Sequence, residues 1–183
     1  MGENFYYMSI GYPIGLCQLD NWERVFNVEL NGNFIGLSLD AYNLWKFCFF
    51  DTKSLETIKE SFDFNVDKVI EDLESNKLLL RLDFNDVDST FNKIKILTTS
   101  KNGFGVGLNT DDKFEILNQG KPFHLNADQF RFWSECDNRR MNKLIFEKLY
   151  KNIDDKKVKI YIINIVLTLK TLDLIRLNKR ERI

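Results

Sequence analysis

The pattern of apolar and polar positions predicts a β-hairpin near the start of the chain. Apolar runs occupy Val25–Leu30 and Phe34–Leu37, and an Asn-Gly pair lies between them. Asn and Gly accept the positive φ angles that a tight hairpin turn requires. A helix is predicted next because Ser38 can cap it, and apolar residues then recur at the spacing of one helical face, at Ala41, Leu44, Trp45 and Cys48.

Two more helices and a pair of strands complete this part of the chain. The pattern predicts a second helix from Ser54 and a third from Asn65, each with an apolar face. Leu78–Leu82 is then predicted as a strand, and after a polar turn Lys93–Leu97 is predicted to pair with it. A helical core followed by a two-stranded wing is typical of winged-helix modules.

The same pattern occurs twice along the chain. Gly11–Leu16 matches Gly103–Leu108, and Phe34–Cys48 matches Pro122–Cys136. A third, shorter match pairs Leu80-Arg-Leu-Asp83 with Ile175-Arg-Leu-Asn178. The pairs of identical residues in register include Leu37 and Leu125, Trp45 and Trp133, and Cys48 and Cys136. Matches that recur in the same order indicate an internal repeat.

We therefore predict an α+β protein built as a tandem duplication of a small winged-helix-like module, with a strand hairpin, three helices and a wing. The first repeat is expected to span residues 1–90 and the second residues 91–183. The repeated Leu, Trp and Cys pairs lie on apolar faces, so they are predicted to form the core of each repeat.

The third helix of the second repeat is predicted at Val158–Leu172, and it is apolar on nearly every side. Such an element must be covered on every side, either by the first repeat or by a twofold mate. We expect Ile160, Ile163, Val166 and Leu167 to be mostly buried. The richness in β-branched residues leaves the alternative that part of this segment is a strand.

Charge is distributed unevenly along the chain. The net charge is −1, but residues 1–136 hold 13 Lys and Arg against 21 Asp and Glu, while residues 137–183 hold 13 against 6. This asymmetry indicates a polyanion, an acidic partner or a self-complementary dimer, unless the lysines simply solvate an exposed face. The candidate contacts are Arg139, Arg140, Lys143, Lys156, Lys157, Lys159, Arg176, Lys179 and Arg180.

The sequence offers little for catalysis, metals or cofactors. His124 is the one histidine, and Cys17, Cys48 and Cys136 lack the spacing of a metal site or a disulfide framework. The glycines of Gly103–Gly107 do not open onto a helix as a phosphate loop would, so a β-bulge or a close strand approach is the better interpretation. No catalytic, cofactor or metal site is predicted.

The stretches LSLDAYNLWKFC and LNADQFRFWSEC, together with LLLRL and LDLIRL, resemble the PqqD-like peptide-recognition winged helices. The likeness covers Val25–Asp83 and Phe114–Asn178. It implies a non-catalytic module in which an edge strand of a small sheet pairs with a leader peptide. It assigns a role to no individual residue of this chain.

Two functional hypotheses follow. The leading one is a non-enzymatic protein that binds a peptide or protein partner, by strand addition or through its basic C-terminal face. The alternative is a DNA-binding transcriptional regulator that uses the basic second repeat. A homodimer is compatible with both.

No membrane partner is expected, because the strongest apolar run, Ile160–Leu169, is too short to span a bilayer. Dispersed cysteines and the lack of a signal-peptide pattern in Met1–Ile10 predict a cytoplasmic location.

Overall fold

The computed structural model describes residues 5–18, 24–108 and 113–179, without the side chains of Gln18, Arg24, Asn138 and Arg139. These residues form seven helices and four three-stranded antiparallel sheets, which confirms the predicted α+β class. The chain divides into two compact units, and the boundary lies between Thr90 and Phe91.

Both units have the same order of elements. Unit 1 contains β1 (Phe5–Ser9), β2 (Tyr12–Gln18), β3 (Arg24–Leu30), β4 (Asn33–Leu37), α1 (Leu39–Phe47), β5 (Lys53–Ser54), α2 (Leu55–Ser61), α3 (Val66–Ser75) and β6 (Leu79–Asp83). The helix α4 (Val87–Lys95) spans the boundary. Unit 2 contains β7 (Leu97–Lys101), β8 (Phe104–Leu108), β9 (Phe114–Asn118), β10 (Lys121–Leu125), α5 (Ala127–Glu135), β11 (Asp137–Met141), α6 (Asn142–Leu149), α7 (Lys156–Thr171) and β12 (Ile175–Lys179).

The strand order is also the same in both units. Unit 1 has the sheets β5-β1-β6 and β2-β3-β4, and unit 2 has β11-β7-β12 and β8-β9-β10. The registers agree, since Ser9 pairs with Leu79 in unit 1 and Lys101 pairs with Ile175 in unit 2. These matches between the units support the predicted tandem duplication. That the two units arose by duplication of one module stays a prediction.

A tryptophan holds the turn between the two sheets of each unit. The Trp45 indole donates to the carbonyl of Ile10 at 3.0 Å, and the Trp133 indole donates to the carbonyl of Asn102 at 3.1 Å. Both indoles are buried. Each bond satisfies a polar group that burial would otherwise leave without a partner.

The repeated glycines have two separate backbone roles. Gly11 and Gly103 have φ angles of +92° and +83°, and a Cβ there would lie 2.8 Å and 2.6 Å from a carbonyl oxygen of β3 or β9. Gly15 and Gly107, also at positive φ, follow a register shift in β2 and β8. The predicted combination of a close strand approach and a bulge is confirmed.

Local signals for turns and caps were read correctly. The Ser38 side chain accepts from the Ala41 amide, and Asn126 forms a capping box with Gln129. The hairpin turn between β3 and β4 has Asn31 and Gly32 at positive φ, as a type I′ turn requires.

The wing predicted for the first repeat is wrong. Lys93–Lys95 belong to α4 and not to a strand, and β6 pairs with β1 instead. Val87, Phe91 and Ile94 recur at helical spacing and are buried, while the Asp86 carboxylate accepts from the Ser89 amide at the start of the helix.

The third sequence match between the repeats is displaced by one residue. The strand registers make Leu79, not Leu80, the counterpart of Ile175. Alternation along a strand has a period of two, so a one-residue shift places Arg81 and Arg176 at non-equivalent positions.

The expectation for the third helix of the second repeat is confirmed in part. Helix α7 is helical throughout, and Ile163 and Val166 are buried, but Leu167 is only half-buried and Ile160 is 41% exposed. Helix α7 has 16 residues against 10 in α3, and the two helices end at equivalent points before β12 and β6. Ile160 therefore lies in the six-residue extension Lys156–Tyr161, which has no counterpart in α3.

Candidate functional site

The six residues assigned to the repeat core all lie inside the units. Leu37, Trp45 and Cys48 are buried in unit 1, and Leu125, Trp133 and Cys136 are buried in unit 2. Burial raises the pKa of the Cys136 thiol far above its usual range. These residues pack the core and present no reactive group at the surface.

Three of the candidate cations, Arg140, Lys143 and Arg176, have carboxylate partners. Arg140 lies 3.0 Å from Asp137 and 3.4 Å from Glu135. The other two ion pairs, Lys143 with Glu147 at 3.6 Å and Arg176 with Asp173 at 3.9 Å, are longer. Much of the predicted positive surface is therefore neutralised by neighbouring side chains.

The remaining described candidate cations lie on helix α7 and at the end of strand β12. Lys156 and Lys157 are exposed in the first turn of α7, and Lys159 is half-buried with its ammonium 6.0 Å from the centre of the Phe91 ring. Lys179 is half-buried at the end of β12. The Arg139 side chain and the whole of Arg180 lie outside the described residues.

The sheet of unit 2 separates two groups of these cations. β11 and β12 flank β7 on opposite sides, so Arg140 and Arg176 are on strands about 10 Å apart. Arg140 and Arg176 thus lie on opposite edge strands of this sheet, and the other candidate lysines of α6 and α7 lie on helices.

Among the described residues, strand β8 has a neighbouring strand on one side only. It forms one side of the sheet β10-β9-β8, and all five of its residues are exposed. Phe104, Val106 and Leu108 are 65%, 55% and 62% exposed. Edge strands usually carry charges, proline or a cover that prevents further pairing. β8 itself contains no charged residue and no proline.

Other outer strands carry these protective residues. Proline occurs in β2 at Pro13 and in β10 at Pro122, and charged residues occur in β6 at Arg81 and in β12 at Arg176. β4 also lacks charge, but its Leu37 is buried. From the sequence, residues 103–108 are predicted as an anchor of the repeat with a β-bulge or a close strand approach, and not as a binding edge. The missed signal was an apolar strand without charge, although the sequence alone does not say that it lies at an edge.

A second surface feature is a concave aromatic site on unit 1, here called the Phe47 pocket. It is lined by Phe47, Phe50 and Phe62 together with Lys46, Asp51 and Lys53. The edge of one ring meets the face of the other in the pair Phe47 and Phe62, whose centroids are 5.4 Å apart. The Lys53 ammonium lies 5.3 Å from the centre of the Phe47 ring, within the range of a cation–π contact.

Potential catalytic and metal-binding groups remain sparse. His124 lies 3.2 Å from Glu115 across β9 and β10 on an exposed face. Within the described ranges, no group of three His, Cys, Asp or Glu side chains could hold a metal ion. The helices of that part of the chain also include none long and apolar enough to cross a membrane.

Comparisons of the chain with protein-family models, curated proteins and solved structures found no match. The two surface features, the β8 edge and the Phe47 pocket, are therefore the candidate binding sites of this protein.

Proposed function

We propose that this chain is a non-enzymatic binding protein that adds an extended segment of a protein partner to β8. The observation that carries the proposal is an apolar, uncharged edge strand in which all five residues are exposed. An added strand would pair with the free backbone edge, and its apolar side chains would cover Phe104, Val106 and Leu108. The PqqD-like resemblance implies the same mode of binding.

The structure favours this function over DNA reading. A recognition helix needs basic and polar residues on its outer face. Helix α7 exposes Lys156, Lys157 and Asn164, but the apolar Ile160 and the aromatic Tyr161 lie between them in the chain and are exposed as well. The Tyr161 hydroxyl donates to the Asp128 carboxylate at 2.6 Å, so it is already engaged within the protein. We also propose a cytoplasmic location, which is supported by the free thiols of Cys17, Cys48 and Cys136.

The test uses peptides selected from a displayed library against the full chain. Bound peptides should slow hydrogen exchange of the β8 amides, and Val106→Lys should weaken binding by at least about tenfold because it places a charge on the edge. The matched control is Leu16→Lys on the equivalent strand β2, which should leave binding unchanged.

Val106 and Leu16 are both exposed, so each substitution should change the free energy of unfolding by no more than about 0.5 kcal/mol. Protection of amides outside β8, or equal binding by Val106→Lys, would contradict the proposal. Duplex DNA binding that falls steeply with salt and survives Val106→Lys would favour the regulator.

A further inference from the structure

The Phe47 pocket lies beside the core of unit 1. The core face of α1 buries Ala41, Leu44 and Trp45. Phe47 is only half-buried and Phe50 is 48% exposed, so both rings keep apolar surface in contact with solvent. A concave group of partly exposed aromatic side chains is the type of surface that binds an apolar ligand group.

Unit 2 fills the equivalent position with a carboxylate. Phe47 and Glu135 are the last residues of α1 and α5. Lys53 and Arg140 are also equivalent, because each comes directly before the N-cap residue of the next helix. Glu135 accepts from Lys148 at 2.6 Å and lies 3.4 Å from Arg140.

The two cations therefore differ in how they are neutralised. Arg140 has two carboxylate partners, Asp137 and Glu135. Lys53 contacts Asp51 at 3.1 Å, and its second neighbour is the Phe47 ring. Lys46, exposed at the rim of the same pocket, adds another positive charge. The lining of the pocket thus has two ammonium groups, those of Lys46 and Lys53, against the one carboxylate of Asp51. This leaves a net positive charge beside the aromatic surface, at the point where unit 2 supplies the Glu135 carboxylate.

We propose that the Phe47 pocket binds the free C-terminus of a peptide that ends in an apolar residue. The terminal side chain packs on Phe47, Phe50 and Phe62, and the α-carboxylate is held by Lys53 and Lys46. The ring and the ammonium are only 5.3 Å apart, so carboxylate and apolar group must be close together in the ligand. Both are attached to one carbon at a peptide C-terminus.

The test is an NMR titration of the full chain with two probes, acetyl-Gly-Gly-Phe as the free acid and as the C-terminal amide. The free acid should shift the backbone N–H signals of Phe47, Phe50 and Phe62. The peptide with an amidated C-terminus should bind at least about fivefold more weakly, because it lacks the negative charge. Lys53→Gln should weaken binding of the acid about three- to tenfold and leave binding of the amide unchanged. Lys59→Gln, a charge change outside the pocket lining, is the control and should affect neither.

Two further measurements make the test decisive. Phe47→Glu gives unit 1 the carboxylate of unit 2 and should abolish binding of the acid. The surface change Lys53→Gln keeps the test valid if Phe47→Glu fails to fold. Equal binding of acid and amide, shifts confined to other residues, or no effect of Lys53→Gln would overturn the proposal. An affinity no higher than that of 3-phenylpropionate would overturn the assignment to a peptide terminus. The NMR signals that report on this proposal belong to residues of unit 1, whereas strand addition is tested at β8 in unit 2. Failure of one proposal is therefore distinguishable from failure of the other.

Discussion

Units 1 and 2 share a backbone arrangement but surround it with different chemistry. In unit 1, Ile10 and Leu30 are buried and apolar. Their counterparts in unit 2 are Asn102 and Asn118, and both side-chain amides donate to the Asp173 carbonyl at 2.9 Å. Asn118 is buried and Asn102 is half-buried, and polar side chains at such positions are tolerated when they are hydrogen-bonded. The two units thus keep the same strand registers, although these two equivalent positions are apolar in unit 1 and polar in unit 2.

The third helices differ in a related way. Asp67 is exposed in the first turn of α3, whereas its counterpart Ile163 is buried in α7. Helix α4, which precedes β7, packs Phe91 on Phe146 with 5.5 Å between ring centroids, and Lys159 of α7 lies over Phe91. Lys159 and Ile163 share one helical face. We infer that α4 is part of the cover that this apolar face requires.

The largest expected effect tests what the units share. Trp45→Ala and Trp133→Ala should each lower the free energy of unfolding by about 3–5 kcal/mol, because each leaves a large cavity in a packed core. Each also removes the donor to a backbone carbonyl. Urea unfolding of the full chain, followed by circular dichroism, measures the loss.

The control for this pair is Phe34→Ala on β4, because the Phe34 ring is 69% exposed and its loss should cost no more than about 0.5 kcal/mol. Similar losses at Trp45 and Trp133 would strengthen the correspondence between the units. A loss under about 1 kcal/mol at either position would contradict a core role for that ring.

A smaller effect tests how the units differ. Ile163→Glu should cost about 3 kcal/mol, because it places an unpaired carboxylate at a buried position. Ile160→Glu lies in the exposed extension of α7 and should cost no more than about 0.5 kcal/mol. Thermal unfolding of the two variants measures the contrast. Equal losses would mean that the extension of α7 packs as tightly as the rest of the helix.

Local features of this fold could be predicted from the sequence. The Asn31-Gly32 turn, the Ser38 cap and the apolar face of α1 each depend on residues close together in the chain, and each was found. The pairing of β1 with β6 joins residues far apart in sequence. No local pattern specifies such a partner, so β6 was assigned to a wing that does not form.

The surface sites were harder to predict for a related reason. Phe49 and Phe50 are neighbours of the same type, but Phe49 is buried and Phe50 is exposed. Their difference depends on where the chain turns after α1. In the same way, Phe104, Val106 and Leu108 have the pattern of a core strand. Their exposure depends on β8 being the outer strand of its sheet.

The smallest expected effect compares Glu135 with its counterpart Phe47. The hydrogen bond from Lys148 lowers the pKa of Glu135 despite partial burial, and the charges of Lys148 and Arg140 add to it. The folded state then binds fewer protons than the unfolded state in the acidic range, so this stabilisation is present at neutral pH and is lost as pH falls through the folded pKa. At pH 7, the free energy of unfolding of wild type should be about 0.5–1 kcal/mol higher than that of Glu135→Gln. The effect is small because the ion pairs of Glu135 with Lys148 and Arg140 are partly exposed. That difference should shrink as the pH falls through the folded pKa of Glu135, and it should be gone once the carboxyl is protonated in both the folded and the unfolded state. Glu60→Gln, on the exposed surface of α2, removes the same charge without a described ion pair and is the control at pH 7, where it should change the free energy of unfolding by less than Glu135→Gln. A difference that stays constant with pH would show that Glu135 acts through packing, as Phe47 does in unit 1, and would remove the electrostatic contrast between the two units.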